Sequence, residues 1–119
     1  MNVREVVLAE NVLADPEGRL SFYSLILDRL AAPAFPGRLR RLAALVRWES
    51  PVPFRARAAL FGPDGAPLAE AGGEIPAGPF AWVALFRDVP LPAPGLYRLV
   101  IYAGGDPVKE IPIRVEEAS

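Results

Sequence analysis

Leu42-Ala43-Ala44-Leu45-Val46-Arg47-Trp48-Glu49-Ser50-Pro51-Val52-Pro53-Phe54-Arg55-Ala56-Arg57-Ala58-Ala59-Leu60-Phe61-Gly62-Pro63-Asp64-Gly65 is the stretch that decides the fold. Leu42, Ala44, Val46 and Trp48 share one face at a spacing of two, opposite Arg41, Ala43, Leu45 and Arg47. Ser50-Pro51-Val52-Pro53 then interrupts the chain. The rhythm resumes with Phe54, Ala56, Ala58 and Leu60 opposite Arg55 and Arg57, and Gly62-Pro63-Asp64-Gly65 closes it. Alternation between turn residues means strands with one face buried.

The closing turn predicts a hairpin. Proline presets φ at the second position of a turn, and Gly65 accepts the positive φ needed after it. Asp15-Pro16-Glu17-Gly18 has the same form, with Gly18 in that place. If residues 62–65 are the loop, Phe61 pairs with Ala66, Ala59 with Leu68, and Arg57 lies opposite Glu70 on the outer face.

Working outward, turn signals recur at Ala32-Pro33 to Gly37, Ile75 to Pro79, Pro90 to Gly95 and Gly104 to Pro107. About eight strands lie between them. Leu20, Phe22, Ser24 and Ile26 share a face in one strand, Tyr97, Leu99 and Ile101 in another, and Ile111, Ile113 and Val115 in the last. Residues 20–32 and 38–49 also approach helical spacing, but helix caps are missing and Pro33 and Pro36 follow closely, so strands are expected. The expected fold is all-β: a two-sheet antiparallel β-sandwich, immunoglobulin-like or related, of about 7–8 strands. It forms one domain over residues 1–115, with 116–119 as a frayed tail.

Composition narrows the function. The 119 residues are 52% hydrophobic, with 14 prolines and a formal net charge of −1, and mean hydropathy is +0.25. That supports a packed core and opposes nucleic-acid binding, which usually needs a positive excess. Cysteine and histidine are absent. Disulfides, thiolate metal sites and the commonest general base go with them. The few serines form no nucleophile elbow. Asp15, Glu17, Glu49 and Asp106 would gather at one end of such a fold, and Asp28, Asp64 and Asp88 at the other. Neither group has calcium-loop spacing, so no metal is expected. Nor are catalytic residues or cofactors. No apolar run reaches the roughly 20 residues of a membrane span, and no secretory signal is evident, so a cytoplasmic location is expected.

Three groups stand out. Tyr97 follows Pro94-Gly95-Leu96 at a strand start, where its hydroxyl is expected to turn back onto a nearby backbone carbonyl. Arg41, Arg47, Arg55 and Arg57 are expected on one outer face, either as an anion-binding surface or as a solvated face neutralised by Glu70 and Glu74. Finally, Tyr23, Leu25 and Leu27 oppose Leu20, Phe22 and Ile26, making one strand apolar on both sides. With Leu45 they mark an outer patch covered either by the Ala32–Pro36 segment or by a second copy of the protein.

The chain also resembles a family of small bacterial proteins known only as a domain of unknown function. The resemblance rests on Ala9-Glu10-Asn11-Val12-Leu13 through Asp15-Pro16-Glu17-Gly18-Arg19-Leu20-Ser21 to Asp28-Arg29, on Leu60-Phe61-Gly62-Pro63-Asp64-Gly65, and on Val89-Pro90-Leu91-Pro92-Ala93-Pro94-Gly95-Leu96-Tyr97-Arg98 through Ile101-Tyr102. It implies an immunoglobulin-like or related β-sandwich and assigns no catalytic residues. The expected function is a non-enzymatic protein–protein interaction or accessory module, as a homodimer or with another protein. The alternative is a module that binds an anionic or carbohydrate ligand at a loop end or on the arginine face.

Overall fold

The computed structural model describes residues 2–14, 20–26, 29–32 and 34–117. Among the described residues there are nine strands and no helix: β1 (Asn2–Ala14), β2 (Leu20–Ile26), β3 (Arg29–Ala32), β4 (Gly37–Ser50), β5 (Phe54–Phe61), β6 (Pro67–Ile75), β7 (Gly78–Leu91), β8 (Gly95–Ala103) and β9 (Asp106–Glu117). They form a four-stranded sheet A, order β2-β1-β4-β7, and a five-stranded sheet B, order β3-β9-β8-β5-β6.

The deciding stretch folds as two strands in different sheets. β4 belongs to sheet A and β5 to sheet B, so Ser50 to Pro53 is a crossover between sheets. Ser50 is buried there. Its hydroxyl donates to Val52 O at 2.7 Å and accepts from Val52 N at 3.3 Å, which holds the corner. Trp48 and Phe54 meet edge to face across it, ring centroids 4.9 Å apart. One core draws on both sheets: Leu42, Ala44, Val46 and Trp48 from β4, Ala56, Ala58 and Leu60 from β5, and Tyr97, Leu99 and Ile101 from β8.

Several expectations are corrected. The segment from Leu20 to Leu30 is two strands, β2 in sheet A and β3 in sheet B, because the chain changes sheets between them. Arriving in sheet B this way, β3 lies parallel to β9, so the fold is not wholly antiparallel. β7 continues through Val89 and Pro90 to Leu91, where a turn is expected. β9 extends to Glu117, two residues into the expected tail, because Ala31 and Ala32 of β3 pair with Glu116 and Glu117. Gly18 and its turn lie outside the described residues.

The 62–65 hairpin forms, with Gly65 at φ 86° and Gly62 N donating to Ala66 O at 2.9 Å. Its register is not the simple one. Ala59 pairs with Glu70 and Arg57 with Gly72, and an irregularity at Leu60/Phe61 absorbs the shift. The Arg57–Glu70 ion pair still closes, diagonally, at 3.1 Å.

Strict alternation also fails near one end of sheet A. Leu42 and Phe86 lie in the core, yet so does Val89, and Leu39 packs against it. Residues three apart on a strand normally face opposite ways. The reversal falls at Arg40–Arg41 and Arg87–Asp88, where Asp88 adopts φ 51°. Aspartate is one of the few residues other than glycine that enters this region readily. The kink turns Leu39, Val89 and Leu91 inward and leaves the charged residues outside.

Candidate functional site

The outward surface of sheet A is built from residues that alternate with the core. On β4 these are Arg41, Ala43, Leu45 and Arg47, on β1 Glu5, Val7 and Ala9, and on β7 Ala81, Val83, Leu85 and Arg87. Cross-strand register aligns them in rows: Val7–Leu45–Val83, Ala9–Ala43–Leu85, Glu5–Arg47–Ala81 and Arg41–Arg87. The two middle rows are wholly apolar, which a solvated sheet face does not need. Leu25 pairs with Ala9 and so extends one of these rows by register.

Within this surface Leu45 is only 1% exposed. It is buried by its own chain, so as an interface residue it is corrected. The apolar side chains left open are Val83 and Leu85, each 37% exposed, on edge strand β7. The expected cover by Ala32–Pro36 is also corrected: Ala32 lies in the main core and Phe35 packs against it. The side chains of Tyr23 and Leu25, and all of Leu27, lie outside the described residues.

The expected four-arginine face is divided. Arg41 and Arg47 stand on sheet A, Arg55 and Arg57 on sheet B, because the Ser50–Pro53 corner separates the strands that carry them. Five of the described arginines are matched, while Arg38, Arg40, Arg41, Arg87 and Arg114 have no carboxylate partner among the described residues. Arg4 pairs with Glu49, Arg47 with Glu5, Arg55 with Glu74 at 2.7 Å, Arg57 with Glu70, and Arg98 with Glu110 at 2.9 Å. Arg57 also lies 4.0 Å over the Tyr102 ring. Exposed pairs of this kind are worth about 0–1 kcal/mol each; those of Arg4 and Arg47 lie on sheet A and those of Arg55, Arg57 and Arg98 on sheet B. Arg41 and Arg87 differ. They are direct cross-strand neighbours, and neither has a carboxylate partner among the described residues. Arg38 adds a third guanidinium nearby, donating to Asp88 O at 3.2 Å.

Tyr97 sits at the opposite extreme of exposure. Its hydroxyl donates to Ala93 O, four residues upstream, at 2.6 Å. Burial pushes this hydroxyl above its ordinary range; the bond with Ala93 opposes the rise and the charge of Asp64 adds to it. Gly95 is required beside it: its φ is 149°, and a Cβ there would stand 2.8 Å from Pro63. Asp64 in turn accepts from Ala66 N at 3.0 Å. These residues tie the hairpin turn to the start of β8, a structural role.

Concavities lined by described residues include these two. An apolar void of about 10 Å³ between Leu42, Leu60, Leu91, Tyr97 and Ile113 is the size of one water and is a packing gap. An open surface depression of about 270 Å³ is bordered by Arg4, Arg47, Trp48, Glu49 and Phe80. No cluster of three or more acidic, His or Cys residues able to hold a metal occurs among the described residues.

Val83 and Leu85 escape sequence reading because Ala84 between them and Phe86 after them are apolar too, which erases the period of two. The pairing of Arg41 with Arg87 depends on which strands are neighbours. A family model described as a family of unknown function (DUF6941) matches residues 5–116. No curated protein matches the chain.

Proposed function

The chain belongs to this family of unknown function, and from that premise we propose that it works without catalysis, by holding another protein against the outward face of sheet A. The observation that carries the proposal is the neighbouring pair Val83 and Leu85, apolar and exposed on an edge strand, at the end of two rows whose other members are largely buried. Exposed apolar side chains grouped on one face of a small domain are compatible with a docking site. The absence of histidine and cysteine supports a non-enzymatic role.

The test is retention from native lysate by immobilised protein, wild type against a Val83→Glu/Leu85→Glu variant, with solution mass measured for both. A protein retained by the wild type and lost from the folded variant supports the proposal, as does a dimer that the variant dissociates. The same retained set for both proteins, with a monomeric wild type, would end it.

A second reading is a module for an anionic or carbohydrate ligand, favoured by the depression beside Arg4, Glu49 and the half-exposed Phe80. Thermal-shift screening tests it, since a specific ligand in excess raises the melting temperature. We also infer that the two sheets form an immunoglobulin-like sandwich, a reading supported by the shared core and the Tyr97 corner. Spin labels at Ala31 and Glu70 would test it. Edges of a five-stranded open sheet stand about 19 Å apart, whereas closure into a barrel would bring them together.

A further inference from the structure

We infer that the partner met by this face is an acidic protein segment, one whose carboxylates flank apolar side chains; the inference rests on the docking proposal above. Val83, Leu85 and Arg87 follow one another at a spacing of two along β7, so an edge strand presents two apolar groups and then a cation on one side. Arg41 stands directly across from Arg87. Like charges placed opposite each other across a strand pair destabilise a sheet, and among the described residues no carboxylate relieves them. The arginines Arg4, Arg47, Arg55, Arg57 and Arg98 each have a glutamate.

This local excess is set in a chain of net charge −1, so it is not a by-product of a basic protein. A carboxylate laid between Arg41 and Arg87 would satisfy both guanidiniums and relieve their repulsion, while neighbouring aliphatic groups cover Val83 and Leu85. A second copy fits less well. In a two-fold contact the patch meets itself, and of the described acids around it Glu5 and Glu49 are already paired with Arg47 and Arg4, which leaves Asp88. Nucleic acid fits less well too, because the groups beside the arginines are aliphatic and offer no stacking platform.

Labelled peptides alternating valine with glutamate, with serine or with lysine provide the test, read by fluorescence anisotropy on the full chain alongside a poly-thymidine oligonucleotide. The glutamate peptide is expected to bind at least tenfold more tightly than the lysine peptide, and less tightly as salt is raised. An Arg41→Ser/Arg87→Ser variant is expected to weaken it about tenfold, and Arg55→Ser on sheet B to leave it unchanged. Circular dichroism confirms that each variant is folded. The inference is overturned by binding that ignores the double variant, by no peptide binding, or by tighter binding of the oligonucleotide. Equal binding of the glutamate and serine peptides, lost on Val83→Glu, also overturns it but leaves the docking face standing. A failure of the lysate experiment as well removes both.

Discussion

At Tyr97 a hydroxyl does what a phenyl ring cannot, donating to Ala93 O at 2.6 Å from a side chain that is 1% exposed. Tyr97→Phe leaves that carbonyl without its donor, so stability is expected to fall by about 1 kcal/mol, read as a lower urea midpoint at unchanged slope. The same tyrosine sets a pH dependence. Its folded-state pKa is raised above the ordinary 10.0, first by burial. The folded state therefore keeps its proton longer than the unfolded state. Its contribution is complete below the unfolded value and is lost as pH rises through the folded one. The wild type should lose stability above about pH 10 more steeply than Tyr97→Phe; parallel alkaline curves would contradict this. Asp88 gives a second residue-level prediction. At φ 51° a β-branched side chain is strained, so Asp88→Val should cost about 1–2 kcal/mol, whereas Asp88→Gly should be close to neutral. Thermal melts of the two variants check it, and equal loss in both would point to the carboxylate rather than the backbone.

Among the elements, β7 has the most contradictory duties. It is the edge of sheet A, and edges invite unwanted pairing. Pro79 and Pro90 near its ends and the kink at Asp88 interrupt the regular ladder that such pairing needs, so a partner would meet the face rather than the edge. The Arg41–Arg87 juxtaposition is measurable at this scale. Arg87→Glu replaces a like pair by an opposite one and should raise stability by about 0.2–1 kcal/mol. A fall in the thermal midpoint would show that Arg87 already has a favourable contact. Elements differ in how legible they are from sequence. β5 is bounded at Phe54 and Phe61 as expected, because Pro53 and Gly62 mark both ends and one face alternates cleanly. The break between β2 and β3 carries no proline or glycine, so a local pattern has nothing to register. Alternation tells which side of a strand Arg47 or Arg55 occupies; it says nothing of which sheet that strand joins. That is why four arginines expected together are divided, while Arg41 and Arg87, 46 positions apart, stand side by side.

For the molecule as a whole, the decisive feature is that both sheets depend on one interior. Leu42 of β4 and Leu60 of β5 belong to the same buried cluster, although the chain crosses from one sheet to the other between them. Most of the buried hydrophobic side chains belong to this shared cluster, so the two sheets should unfold together. Leu60→Ala tests this with a truncation at that shared interior. Removing a buried leucine side chain typically costs about 2–5 kcal/mol, a large part of the 5–15 kcal/mol that holds a domain of ordinary stability. If the core is one cooperative unit, far-ultraviolet circular dichroism, which sees all strands, and the fluorescence of Trp48 and Trp82, both in sheet A, should shift to the same lower urea midpoint. A fluorescence transition left in place while circular dichroism moves would mean that sheet A survives the loss of sheet B. A docking surface on sheet A would then be able to persist on a half-folded chain. Coincident shifts would tie that surface to the integrity of the entire fold, including strands that never touch the partner.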